Sequence, residues 1–317
     1  MRTLTAGSKA AAGQAPGRGR APRSRSRLAR RRRRAGILLS LPAVAVVVGL
    51  LAIPIGQAVY YSMTNWNGLT STWIGPSAYT TALSDPVFWR VIENNALLLL
   101  CIPFAIGIPL GIAVLLHEHV AGWRFFRSVY FLPTAVSWVV FGLVAVQFFA
   151  YQGLMNKLLA DVGLGSFQTN MLAGQRTALL ALAITFIWSM LGTNTIIFLT
   201  GMATLDPTLI EAARVDGLSR WQIFRRVTLP LLRRFVQFSF VITVIYAFSA
   251  LFSLIFVMTG GGPGYGTTTL EFLVYQSAFS LGEFGTGALY GIILFVIMIV
   301  VGLVQLRMIR SEDGEGW

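Results

Sequence analysis

A chain of 317 residues with 55 % hydrophobic and only 12 % charged residues, and a mean hydropathy of +0.69, is not composed like a soluble domain, for which about 25 % charged residues is usual. The net charge of +13 is not spread over the molecule, because twelve of the 25 Lys and Arg fall within the first 34 residues. The single cysteine, Cys101, excludes a disulfide within the chain and reads as a packing residue in an apolar stretch.

The basic tail, residues 1–35, mixes Arg with Gly, Ala, Pro and Ser and has no apolar periodicity, which predicts disorder. It abuts a long apolar segment, so it reads as a cytoplasmic anchor touching anionic membrane lipid rather than as a nucleic-acid arm. A basic start before an apolar stretch also suggests a signal peptide. However, residues 36–61 are too long for an h-region and no A-x-A-like cleavage site follows, which predicts an uncleaved first span.

A spanning helix needs about 20 mostly apolar residues. Charge-free windows of that length occur at 36–61, 94–117, 128–150, 177–203, 235–258 and 284–306. Six spans put both termini on one side. Under the positive-inside rule that side is the cytoplasm, because 22 of the 25 Lys and Arg then lie inside and only Arg90, Lys157 and Arg176 outside. Residues 309–317 form a short cytoplasmic tail. The expected class is all-α and polytopic. Gly107 with Gly111, and Gly287 with Gly291, have the spacing that lets helices approach closely. Pro103, Pro109 and Pro133 predict kinks within spans. Tyr60, Tyr61 and Trp66 fall where an outer aromatic belt is expected.

The connector between the fourth and fifth spans, 204–232, is the most informative stretch. Asp206 before Pro207 predicts a capped helix start, and Gly217 a left-handed stop. Ser219 with Gln222 predicts a capping box opening a second short helix, with Pro230 beyond it. Read from the residues alone, this is a helix-turn-helix on the inner face, equally an amphipathic connector resting on headgroups. Its place between two spans argues against DNA binding.

Glu211, Ala212 and Ala213, then Asp216 and Gly217, then Phe224, Leu229 and Pro230, resemble the "EAA" loop of binding-protein-dependent ABC importer permeases. Two further stretches resemble the outer loops of the carbohydrate branch, the permeases similar to the larger maltose-transporter subunit. One runs from Met258 through Gly260–Gly264 to Thr267–Thr269, Tyr275, Ala278 and Phe279. The other holds Tyr61–Trp66, Ile74, Gly75, Tyr79 and Asp85–Trp89. The resemblance covers residues 36–308, departing from the family pattern at Asn94–Asn95 and Pro76. It implies the type I importer permease fold with a coupling helix that docks on a separate ATPase. Glu211 would contact that subunit, Ala212 and Ala213 would supply a close-packed surface, and Gly217 the bend. The implied partners are ABC ATPase subunits, a second similar permease completing a heterodimeric channel, and an extracytoplasmic binding protein delivering a sugar. ATP and magnesium would be used by the ATPase, leaving this chain with no cofactor and no catalytic residue.

Polar residues at mid-span are the candidate solute contacts. These are Thr193 and Asn194 in the fourth span, and Thr243, Tyr246, Ser249 and Ser253 at helical spacing in the fifth, with helix–helix hydrogen bonding as the equal alternative. The glycine cluster 260–264 lacks a following Gly-Lys-Ser/Thr and reads as a flexible turn at the channel mouth rather than a phosphate loop. His117 and His119 have no companion ligands and read as surface residues, not a metal site. A gradient-driven secondary transporter would need ionisable relays inside spans, and spans three to six have none. A membrane enzyme would need convergent acid, base or metal ligands, which are not visible. An ABC permease for glycerol phosphate or polyamine is a close variant of the reading.

Overall fold

The structure, a computed structural model, describes residues 24–117, 134 and 136–313, with side chains described for 36, 39–117, 134 and 136–309. The expectations for residues 1–23, His119, Arg124, Arg127, Pro133 and the start of the third span fall outside these residues. The chain divides into two compact units, Met1–Gly56 and Gln57–Trp317.

The first unit is occupied by α1 (Ser24–Tyr61), which runs past the unit boundary and contains Pro42 and Pro54. The helix starts ahead of the expected first span, so the described part of the basic tail is helical.

The second unit is a helical bundle. In chain order it holds α2 (Ser77–Ser84), α3 (Pro86–Leu99), α4 (Ile102–His117), α5 (Trp138–Phe149), α6 (Leu154–Asp161) and α7 (Gln175–Met202). There follow α8 (Pro207–Val215), α9 (Arg220–Ile223), α10 (Arg233–Ser249), α11 (Leu251–Met258), α12 (Leu270–Tyr275) and α13 (Phe284–Asp313). The described residues form no strand, only one bridge between Thr64 and Trp73.

Five helical segments are long and apolar enough to cross a membrane: Leu39–Tyr61, Pro86–His117, Trp138–Asp161, Gln175–Met202 and Phe284–Ile309. The sixth comes from the pair Arg220–Leu231 and Arg233–Ser249, bent by 70°. The second member continues through Ala250 into α11, so α10 and α11 together cover the expected fifth span. The second span is likewise two helices, because Pro103 lacks an N–H to continue the ladder and the helix restarts at Ile102.

The core follows from helix geometry and small residues. Ala105 and Ala113 of α4 and Ala181 of α7 are fully buried, which lets these two helices lie close, and Phe186, Phe198 and Leu182 fill the space around them. In lipid the attraction between spans is close packing and interhelical hydrogen bonding, since tails are as apolar as leucine. The glycine spacing picked out from the sequence is not what brings helices together within this chain. A Cβ on Gly107, Gly111 or Gly291 would meet nothing within 4 Å. Of these glycines only Gly287 makes a close approach, to Ala278 in the π-helical turn Gln276–Ser280 that continues α12. The close helix approach instead uses Gly201, where a Cβ would lie 2.7 Å from Phe235 and 2.8 Å from Leu232. The expected aromatic belt is a cluster: Tyr61 stacks on Trp66 at 4.1 Å, Trp66 packs on Phe284 at 5.1 Å, and Tyr60 on Trp73 at 5.6 Å.

Candidate functional site

The segment between α7 and α10 forms as its capping residues dictate. The Asp206 carboxylate accepts the Thr208 N–H at 2.9 Å, and Pro207 occupies the first turn of α8. That backbone bond holds the Asp206 carboxyl below its ordinary value. Gly217 takes φ +77°, and the Leu218 and Gly217 N–H groups close the helix end on Ala213 and Arg214 carbonyls. The capping box is complete: Ser219 N–H donates to Gln222 Oε1 at 2.8 Å, and Gln222 N–H to Ser219 Oγ at 3.4 Å. After α9 the backbone widens into a π-helical turn, Phe224–Thr228, ahead of Pro230. A proline ring clashes with the carbonyl four residues back, and the wider turn relieves it.

Of the residues singled out here, Glu211, Ala212, Asp216, Gly217 and Pro230 are exposed. Ala213 is not: it is 7 % exposed and faces its own chain, so it supplies packing beneath the segment rather than surface. Phe224 is half-buried, packs on the core and lies 5.5 Å from the Trp221 ring. Three apolar residues of the connector are also exposed: Val215 at 87 %, Trp221 at 66 % and Leu209 at 47 %. None of the three was singled out from the sequence, where Val215 and Trp221 are each a single apolar residue between polar ones.

The mid-span candidates separate into two groups. Asn194 and Thr243 are fully buried and tie three spans together. Asn194 Nδ2 donates to the Ala105 carbonyl at 2.7 Å and to Thr243 Oγ1 at 3.0 Å. They fulfil the helix–helix alternative, because in a water-free interior an amide must find its partners within the bundle. Thr193 and Tyr246 instead line a cavity of about 80 Å³ with Trp138, Phe141, Ser189 and Met190. The Trp138 and Tyr246 rings stand 5.7 Å apart. Trp138 and Ser189 were missed because they lie at the start of α5 and one turn before Thr193, where no polar cluster marked them. Ser249 is exposed and donates to the Ile245 carbonyl, while Ser253 lies beyond the break at Ala250 on α11.

At the opposite end of the bundle the glycine cluster is pinned rather than free. Thr267 Oγ1 donates to the Gly262 carbonyl at 2.8 Å and Thr268 Oγ1 to the Gly261 carbonyl at 2.9 Å. Gly261 has φ +84°, and a Cβ there would lie 2.7 Å from both Phe272 and Thr268. Asn94, the first of the Asn94–Asn95 pair at which the chain departs from the family pattern, donates through Nδ2 to the Tyr265 and Thr268 carbonyls at 2.8 and 2.9 Å. Asn95 Oδ1 accepts the Leu270 N–H at 2.8 Å.

Residues 107–311 match the family described as binding-protein-dependent transport system inner membrane component. The chain is 32 % identical over 271 residues to a probable ABC transporter permease protein of Pyrococcus horikoshii, covering 84 % of this chain and 92 % of that one. It is 31 % identical over 283 residues to the sulfoquinovosyl glycerol transport system permease protein SmoG of Agrobacterium fabrum, covering 87 % and 91 %. Its fold is that of a chain in the crystal structure of a bacterial ABC transporter involved in the import of the acidic polysaccharide alginate. The TM-score is 0.75 at 23 % identity, over 90 % of this chain and 99 % of that chain. A multi-span helical bundle with a capped surface connector thus defines a transport permease, and the chain belongs to the binding-protein-dependent transport system inner membrane component family.

Proposed function

We propose that this permease forms half of the channel of an ATP-driven importer for a sugar or oligosaccharide, in a bacterial cell membrane with both termini cytoplasmic. The segment 206–231 carries this reading. It presents Glu211 and Ala212 beside the exposed apolar residues Leu209, Val215 and Trp221, and it joins α10 through the 70° bend. A docked ATPase would cover that apolar surface and bond the Glu211 carboxylate through an Arg or a backbone N–H. Closure of paired ATPases on ATP and magnesium would then move the segment and, through the bend, the fifth span.

Cargo would come from an extracytoplasmic binding protein, and a second, similar permease would complete the channel. The cavity at Trp138, Ser189, Thr193 and Tyr246 supports a carbohydrate, since aromatic faces take up C–H surfaces and hydroxyls exchange hydrogen bonds with a sugar. The relative from Agrobacterium fabrum, whose name specifies a glycosyl glycerol, supports the same class.

The test is ATP hydrolysis by the complex reconstituted with its ATPase, partner permease and binding protein. Glu211→Ala and Gly217→Pro, the latter forcing φ to about −65° where the native value is +77°, are expected to abolish sugar-stimulated hydrolysis or release the ATPase. Unchanged stimulation in both variants would overturn the coupling assignment. Tyr246→Ala is expected to raise the sugar concentration needed for half-maximal transport while leaving assembly intact. An unaltered concentration dependence would remove Tyr246 from the pathway.

A further inference from the structure

The loop joining the fifth and sixth spans is held to the second span by two adjacent amides, and a carboxylate sits inside that joint. Asn94 and Asn95 are 0 % and 8 % exposed, and Thr267, Thr268 and Thr269 are at most 1 % exposed. Asn95 uses both ends of its amide. Its Oδ1 accepts the Leu270 N–H, and its Nδ2 faces Glu271 Oε2 at 3.4 Å. Glu271 Oε1 is buried without a hydrogen-bond partner, and so are Asn94 Oδ1 and Gln276 Oε1. These three can only accept, and the Thr269 hydroxyl, also buried without a partner, supplies a single donor beside them, so acceptors still outnumber donors in the joint. An ionised carboxylate adds to that excess, whereas a protonated one supplies the missing donor.

The charged groups around Glu271 offer it no cation. On α3, Arg90 pairs with Glu93 at 2.9 Å and reaches on to Gln175. α11 has no titratable side chain. α13 brings Tyr290, with its charged residues beginning at Arg307 at the far end, and the remaining titratable neighbours in the loop are Tyr265, Tyr275 and Glu283. Burial pushes the Glu271 carboxyl up to about 7, against smaller opposing effects of its own backbone N–H, Thr269 and Asn95.

We propose that Glu271 is a protonation-operated latch: its neutral carboxyl holds the 265–276 segment to the end of the second span, and its ionisation loosens that attachment. The sign follows from linkage. In the attached state the group titrates near 7, and in a detached, solvated segment at its ordinary 4.5. Attachment is therefore strongest below about 4.5, weakens as pH rises to about 7, and is constant above that. Because this segment lies at the end of the bundle opposite the 206–231 connector, the latch would sense the medium from which cargo arrives. The inference concerns the loop itself and does not depend on the identity of the cargo.

The experiment is hydrogen–deuterium exchange of the full chain in lipid nanodiscs at pH 5, 6, 7 and 8, with residues 154–161 as internal reference. Glu271→Gln mimics the neutral carboxyl, so the protection of 265–276 in wild type divided by that in this variant isolates the proton. The expected ratio falls by up to about tenfold per pH unit between 5 and 7 and then levels. A ratio that does not change with pH overturns the proposal. The double variant Asn94→Leu with Asn95→Leu removes both amides of the joint and is expected to leave the segment poorly protected at every pH. Wild-type protection in that variant would equally overturn the latch, because the segment would then be held elsewhere.

Discussion

The two connectors that flank the fifth span are built on opposite principles. The 206–231 segment satisfies its backbone with its own caps and turns and leaves Glu211, Val215 and Trp221 exposed. The 259–283 loop is tied by buried side chains to a helix far away in the chain, as in the bond from Asn94 to the Tyr265 carbonyl, 171 residues apart. Local hydrogen bonding makes an element that is rigid and detachable, suited to meeting another subunit. Long-range hydrogen bonding makes an element that moves only when a distant span lets go. The first needs a partner to cover its apolar face, and the second already has one within the chain.

The sharpest way to break this comparison is to remove the long-range tie. Asn94→Leu preserves bulk but leaves the buried Thr268 carbonyl without its donor, and the part-buried Tyr265 carbonyl with only the Thr268 N–H at 3.4 Å. Each unsatisfied buried group costs about 1–3 kcal/mol. A fall of several degrees in the thermal unfolding midpoint of the detergent-purified chain is expected. Glu211→Ala, on the exposed connector, should leave that midpoint unchanged. Gly261→Ala tests the same loop from the backbone side. Its methyl group would press on Phe272 and Thr268 at 2.7 Å, and the left-handed conformation alone costs a non-glycine residue about 1–2 kcal/mol. A midpoint indistinguishable from wild type would mean that the loop yields there, and would count against its being pinned.

What the sequence made legible follows the same division. Asp206, Gly217, Ser219 and Gln222 take part in the bonds their spacing predicts, because caps and turns are decided within a few residues of chain. The six spans are visible for a similar reason: lipid imposes length and apolarity on each one separately. The joint at Glu271 was not visible. A glutamate beside three threonines in a loop looks solvated, and its burial depends on Asn94 and Asn95, residues noticed only as a departure from a pattern. The partners of Asn194 were likewise not visible. Helical spacing gives a residue's face, but whether that face meets a cavity or another span is decided by Ala105 and Thr243. Asn194→Leu should accordingly lower stability modestly, since interhelical hydrogen bonds in membranes average about 0.6 kcal/mol. A change in sugar dependence at unaltered stability would return Asn194 to the pathway.

The smallest effect belongs to the exposed connector and sharpens the comparison from its other side. Asp206 caps α8 with one bond to the Thr208 N–H, and removing such a cap leaves an orphan donor in the first turn and destabilises that helix start. Because α8 is short and its caps are local, Asp206→Ala should fray the start of the helix without disturbing the bundle. The unfolding midpoint would hold, and coupling of ATP hydrolysis to sugar would weaken as temperature rises. Asp206→Asn keeps an oxygen to accept the same N–H and should behave as wild type, which separates the cap from the charge. The folded carboxyl titrates below its ordinary 3.8. The cap's contribution is therefore complete above that pH and is lost only as pH falls through the lower folded value. Across pH 5–8, where the Glu271 latch is expected to respond, the Asp206 cap should not. If exchange protection of 207–215 followed pH in that range together with 265–276, the two connectors would be coupled through the fifth span rather than independent.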